Sequence, residues 1–169
     1  MADNSASGLS YKVLYLYGDS PTEWNCSQWR CLNPSNALNA SGRYIGKLML
    51  FASMMNFRDP QVVNTIMQHD VVVCERNAVS AEAHALIGYA QGMGKTIILD
   101  WDDAYQMLPW SNPAHKFWIQ NAGNLDPPPL RMLDIALHMA DAFTSPSKVI
   151  LQDWAEAADG RTYWLPNYA

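Results

Sequence analysis

Apolar and polar positions divide the chain into short apolar runs that end in polar clusters, separated by stretches with helical spacing. The first run, Tyr11 to Tyr17, is rich in β-formers and stops at Gly18-Asp19-Ser20-Pro21, which predicts a strand and its exit loop. Residues 19 to 33 carry no periodicity and read as a long loop rich in Trp, Cys, Asn and Ser. Asn33-Pro34 then predicts a helix start, with Asn33 as cap and a stop near Gly42. Arg43 to Phe51 fits a strand early and irregular structure late. Asp59-Pro60 opens a helix with Val62, Val63, Ile66 and Met67 on one face. Asp70 to Asn77 is a second buried strand, and Ser80 to Gly92 an amphipathic helix ended by Gly92 and Gly94.

The run Thr96 to Leu99 predicts a further buried strand, followed at once by Asp100, Trp101, Asp102 and Asp103. A turn-rich loop over 107–113, a helical turn or two over 114–120 and a proline-rich loop over 123–129 come next. Then follow a helix over 130–139, a strand over 141–145, a helix over 148–157 and a last strand over 161–165. Strand–helix alternation of this kind predicts an α/β fold: a Rossmann-like, doubly wound, mainly parallel sheet with helices on both faces. The expected domain is single, 11–169, after a flexible leader at 1–10.

Open sheets of this class bind ligands beyond the carboxyl ends of their strands, so polar groups there are the candidate chemistry. Asp100, Asp102 and Asp103 form one such cluster, flanked by Trp101 and Tyr105; Glu75, Arg76 and Asn77 form another. Gly18 permits close approach of a ligand to the backbone. In the loop, Trp24 and Trp29 offer stacking faces and Arg30 a guanidinium for an anion. Capping and helix packing account for Ser80 and His84. Gly-Met-Gly-Lys-Thr96 precedes its strand, so it is no phosphate-binding loop, and no dinucleotide fingerprint follows the first strand.

With 169 residues, 49% hydrophobic and 16% charged, the chain has material for one sizeable core. A net charge of −5 argues against broad nucleic-acid binding. No apolar run reaches membrane-spanning length, and the small, polar N-terminus lacks the build of a signal peptide, so a cytoplasmic protein is expected. Three cysteines fit no disulfide framework. Cys26 and Cys31 can hold a metal only if other ligands converge on them, and the four histidines show no paired ligand spacing, so no metal is expected.

Asp-Trp-Asp-Asp103 at a strand end is followed by Leu-Pro109 and Asn-Pro113. A helix ending Met-Ala-Asp141, a strand ending Thr-Ser-Pro-Ser147 and the terminal Tyr-Trp-Leu-Pro-Asn-Tyr168 come after it. With Gln28-Trp-Arg-Cys-Leu-Asn-Pro34 after the first strand, this succession resembles the N-terminal, acceptor-side half of glycosyltransferases of the GT-B fold, over about Tyr11 to Tyr168. The resemblance implies transfer of a sugar from a nucleotide-sugar donor to a carbohydrate or other acceptor, with no metal or other cofactor. Asp102 or Asp103 would orient the acceptor hydroxyl as catalytic residues. Gly18, Arg30, Glu75, Arg76, Asp100, Trp101 and Tyr105 would line the substrate cleft, at the ends of the first, third and fourth strands. The family's Pro-Asn motif leads into a donor-binding domain, so a further domain or a partner chain is expected to complete the site, and the isolated chain to be inactive.

Two other readings stand beside this one. A lone domain of this fold can bind a sugar or nucleotide without catalysis; seven Trp and eight Tyr suit carbohydrate or interface contact, and exposed aromatics at Trp101, Trp110 and Trp164 would support it. The Asp-x-Asp after an apolar run also matches haloacid-dehalogenase-like phosphatases, with Asp100 as nucleophile, Asp102 as acid–base and magnesium bound. Its mid-chain position, and Asp103 where Thr or Val is expected, count against that match.

Overall fold

The computed structural model describes residues 10–120 and 122–167. The leader expected at 1–10 therefore lies, apart from Ser10, outside the described residues, as does Tyr168. Six strands form one parallel sheet in the order β2-β1-β3-β4-β5-β6. They are β1 (Lys12–Tyr17), β2 (Ile45–Leu50), β3 (Val71–Glu75), β4 (Thr96–Asp100), β5 (Ala142–Ser145) and β6 (Thr162–Trp164). The α-helices are α1 (Asn25–Ser27), α2 (Asn33–Ala40), α3 (Pro60–Met67), α4 (Ala81–Gly92), α5 (Pro129–Met139) and α6 (Lys148–Asp153). The Rossmann-like expectation holds: the sheet is parallel throughout and helices flank it. No helix among the described residues is long and apolar enough to cross a membrane.

Strand order decides how the helices distribute. Right-handed crossovers place a helix on one face when the chain steps one way along the sheet and on the other face when it steps back. Only β1 to β2 steps towards the β2 edge; every later crossover runs towards β6. Accordingly α3, α4, α5 and α6 supply Ile66, Leu86, Leu133 and Ile150 to the main core, against Leu14, Leu16, Val72, Cys74, Ile97, Leu99 and Phe143 of the sheet. The opposite face carries a smaller cluster, Tyr15, Cys31 and Val73, with Val13, Leu48, Val71, Ile98 and Leu38 of α2 beside it. At Gly46 α2 lies hard against the sheet: a Cβ there would stand 2.7 Å from the Ser35 carbonyl oxygen. Beyond α2, a groove of about 310 Å³ remains over this face, lined by Val13, Val71, Ile98 and Thr144 among others.

Helix starts follow local chemistry. Asp59 accepts from the Gln61 amide at 2.8 Å and Ser80 from the Ala83 amide at 3.1 Å, each capping the helix it precedes. The chain departs from expectation between 19 and 33. Instead of a long loop, α1 runs into a wider helical turn, Gln28–Leu32, and on into α2. Asn33 therefore sits inside a continuing helix, with φ −62° and ψ −46°, and does not cap it. The helix expected over 148–157 is shorter, ending at Asp153 before a run of turns. Trp154 there closes over Trp101.

Candidate functional site

Strands β1, β3 and β4 are neighbours, so their ends converge at the centre of the sheet. The order reverses between β1 and β3, which is the switch point where open α/β sheets hold their ligands. Glu75 and Asp100 stand side by side in the β3–β4 register, with Thr144 of β5 next to Asp100. The helical segment 25–32 packs over this row. Ser27, Arg30 and Cys31 on it are buried, and each faces a carboxylate of the row.

Two kinds of carboxylate site result. The first is closed. Arg30 grips Asp100 with two donors, Nε to Oδ1 at 2.6 Å and Nη2 to Oδ2. Its remaining nitrogen donates to the Leu165 carbonyl at 2.7 Å and to Asn167 Oδ1 at 2.9 Å. The Thr144 hydroxyl donates to Asp100 Oδ2. Both partners of the pair are 1% exposed. Burial pushes the Asp100 carboxyl up, while the guanidinium and the threonine hydroxyl pull the other way. Arg30 and Asp100, expected to touch substrate, are instead consumed by each other; the pair ties the segment after β1 to the end of the chain's last strand. Both Asp100 oxygens already accept hydrogen bonds, which counts against their use as the nucleophile of a phosphatase. Trp101, also expected in the cleft, is fully buried between Phe143, at 4.3 Å between ring centroids, and Trp154.

The second is exposed only towards its outer end: Glu75 is as buried as Asp100, while Asp19 and Arg76 are partly exposed. Asp19, directly after Gly18, accepts from the Ser27 amide at 3.0 Å and pairs with Arg76. Glu75 accepts from the Gly18 amide at 3.0 Å and from the Ser27 hydroxyl, but its Oε1 is buried without a hydrogen-bond partner. Burial raises the Glu75 carboxyl, against the lowering by Ser27 and Arg76. Arg76 holds φ at 25°, a strained conformation for a side chain of that size, and Asn25 holds φ at 37°. Gly18 faces Asn77 so closely that a Cβ would stand 1.9 Å from the Asn77 Nδ2, itself buried and unpartnered.

Beyond these lie Asp102, half-buried, and Asp103, exposed. Their carboxylates and the Cys26 thiol sulfur all lie within 4.8 Å of one another. Burial pushes the Cys26 thiol up to about 12, and Asp102 beside it contributes to the rise. The Asp103 carboxyl is raised by burial and then by Asp102, while Arg76 lowers it. Tyr105 stacks on Trp118 at 4.1 Å, and its hydroxyl is buried with no partner. Burial raises the phenol; Arg76 lowers it, and Asp102, Asp103 and Cys26 raise it again, which places the hydroxyl in the same electrostatic neighbourhood.

Of the expected residues, the structure groups Gly18, Glu75, Arg76, Asp102, Asp103 and Tyr105 past the ends of β1, β3 and β4, with Glu75 and Tyr105 buried; Arg30 and Asp100 pair beside them and line the groove over the smaller cluster, and Trp101 packs into the main core. Asp19, Cys26, Ser27 and Asn77 also belong to the site, although the sequence resemblance assigns them no role. Asp19 beside Gly18 at a strand exit, and Asn77 after Glu75 and Arg76, carry a local signal; nothing in the pattern around Cys26 or Ser27 points to this place. Of the aromatics, Trp110 is 86% and Trp164 51% exposed. Trp24 packs on Tyr17 at the end of β1, 5.1 Å between centroids. No family model, curated protein or solved structure gives a significant match to the chain.

Proposed function

We propose that the chain is the acceptor-side domain of a glycosyltransferase, holding a hydroxyl-bearing acceptor at the carboxyl ends of β1, β3 and β4. The observation that carries this reading is the placement of the open carboxylates and Arg76 at the switch point of a parallel sheet. Carboxylates that keep free lone pairs accept hydrogen bonds from sugar hydroxyls. Asp102 or Asp103 orients the acceptor hydroxyl and draws on its proton as it attacks the anomeric carbon. Arg76, held in place by Asp19, presents a guanidinium to an anionic group on acceptor or donor. A donor-binding domain or partner chain supplies the nucleotide sugar and the contacts to its leaving diphosphate.

The ordered motifs quoted from the sequence support the same reading. A second reading, a sugar-binding domain without catalysis, draws on exposed Trp110 and Trp164. Saturation-transfer NMR with a panel of mono- and oligosaccharides tests both. Retention of a carbohydrate by the native chain, lost in Arg76→Ala and Asp102→Asn, is the expected result. No carbohydrate signal, or a signal untouched by both substitutions, overturns the site assignment. A signal lost only in Trp110→Ala or Trp164→Ala favours the non-catalytic reading.

A further inference from the structure

We propose that Cys26, Asp102 and Asp103 form a binding site for a divalent transition-metal ion of the zinc class, with the Tyr105 hydroxyl placed to hydrogen-bond a metal-bound water. The three side chains come from two distant parts of the chain, the helical cap after β1 and the loop after β4. Their ligand atoms lie within 4.8 Å of one another, a convergence that no other such group matches among the described residues. Zinc takes sulfur at about 2.3 Å and carboxylate oxygen at about 2.0–2.2 Å in tetrahedral geometry, so the three atoms need only a small inward movement. Three protein ligands leave a fourth position for water, the arrangement of metal sites that do chemistry.

An independent observation points the same way. The Tyr105 hydroxyl is buried, 2% exposed for the residue as a whole, and has no hydrogen-bond partner. A buried hydroxyl in that condition is costly, and a partner supplied by a bound species removes the cost. The charge balance also suits a cation. Arg76 is paired with Asp19 and lies 3.7 Å from Glu75, so it offsets only part of the charge of the two aspartates beside Cys26. The mixed donor set decides the metal. A thiolate beside carboxylates favours zinc or cobalt over magnesium or calcium, which prefer oxygen throughout. On binding, the metal takes the place of the Cys26 thiol proton, which leaves to solvent.

Such a site departs from the metal-independent transfer that the sequence resemblance implies. It stands without the transferase reading: carbohydrate binding can fail while the metal site survives, and the reverse. The test is a cobalt(II) titration of the metal-free native chain, read as thiolate-to-cobalt charge-transfer absorption, with zinc as competitor and magnesium in excess as control. The expected result is a saturable band displaced by zinc and not by magnesium. It is lost in Cys26→Ser and weakened at least about tenfold in Asp102→Asn, while Tyr105→Phe binds about tenfold more weakly with the band intact. Far-UV circular dichroism of each variant confirms that it folds. No band in the native chain, or a band that persists in Cys26→Ser and so comes from Cys31 or Cys74, overturns the proposal.

Discussion

Asp100 and Asp102 are two residues apart, yet they sit in opposite physical situations. Asp100 ends β4 on the face of the smaller cluster, where Arg30 and Thr144 engage its oxygens, and it is 1% exposed. Asp102 lies past the strand, half-buried, beside Asp103 and the Cys26 thiol, with Arg76 already committed to Asp19. The first carboxylate joins segments of the fold. The second stands beside Asp103 and the Cys26 thiol, the arrangement on which the proposed metal and acceptor roles rest. Two carboxylates at one strand end thus differ in how fully their partners engage them.

The comparison breaks first at the closed pair. Arg30→Met leaves Asp100 buried and uncompensated, and is expected to cost about 3–5 kcal/mol in urea unfolding. Replacing both partners by apolar residues, as in Arg30→Met with Asp100→Leu, restores most of that loss, because the desolvation of both charges disappears together. A single substitution costing less than about 1 kcal/mol would show that solvent reaches the pair.

Ser27 bridges the two regimes, and its removal comes next in size. Its amide donates to Asp19, and its hydroxyl, with one proton to give, lies between Asp19 and Glu75, in a place with no exposure. Ser27→Ala removes the one hydroxyl proton that Glu75 and Asp19 share, and is expected to cost about 1–3 kcal/mol. Carbohydrate retention falls in parallel if Asp19 then releases Arg76.

Much of this division was legible in the sequence, and some was not. The apolar runs at 12–17, 71–75 and 96–100 announce buried parallel strands, because both faces of such strands are covered and β-branched residues fill them. The polar residues at their ends were visible for the same reason. The segment 25–32 was not. Its side chains show no apolar period, since what fixes it is polar: Ser27 to Glu75 and Arg30 to Asp100. Nor does composition tell one aspartate from another. The pairing of Asp100 is not legible in the sequence because its partner, Arg30, is 70 positions away in the chain, and no local pattern encodes that meeting. Trp101 reads as a stacking face in sequence, but the residue after a central strand can turn into the core as readily as out of it.

Glu75 gives a smaller and pH-dependent test. Its carboxyl is raised in the folded chain by burial, so in the window between the unfolded and the folded pKa the native state holds the extra proton. Stability from this group is therefore present at low pH and falls as pH rises through that window, with a slope of about 1.4 kcal/mol per pH unit. Glu75→Gln removes the ionisation. It flattens this part of the stability–pH curve and is expected to be at least as stable as the native chain at pH near neutral. A curve unchanged by Glu75→Gln would show that Ser27 and Arg76 already offset the burial.

Asp103 is expected to give the smallest effect on stability and the clearest separation of the two kinds of site. The residue is exposed, and its carboxyl is raised by burial and by Asp102. Asp103→Asn removes one member of a like-charged pair and leaves no buried group unpaired, so stability changes by no more than about 0.5 kcal/mol, towards gain. Cobalt binding by the same variant weakens, because a neutral amide is a poorer ligand for the ion than a carboxylate. Urea unfolding and the cobalt titration, run on one preparation, read the two effects side by side. A stability loss as large as that of Arg30→Met would mean that Asp103 is as structurally committed as Asp100, and the contrast between closed and open carboxylates would collapse.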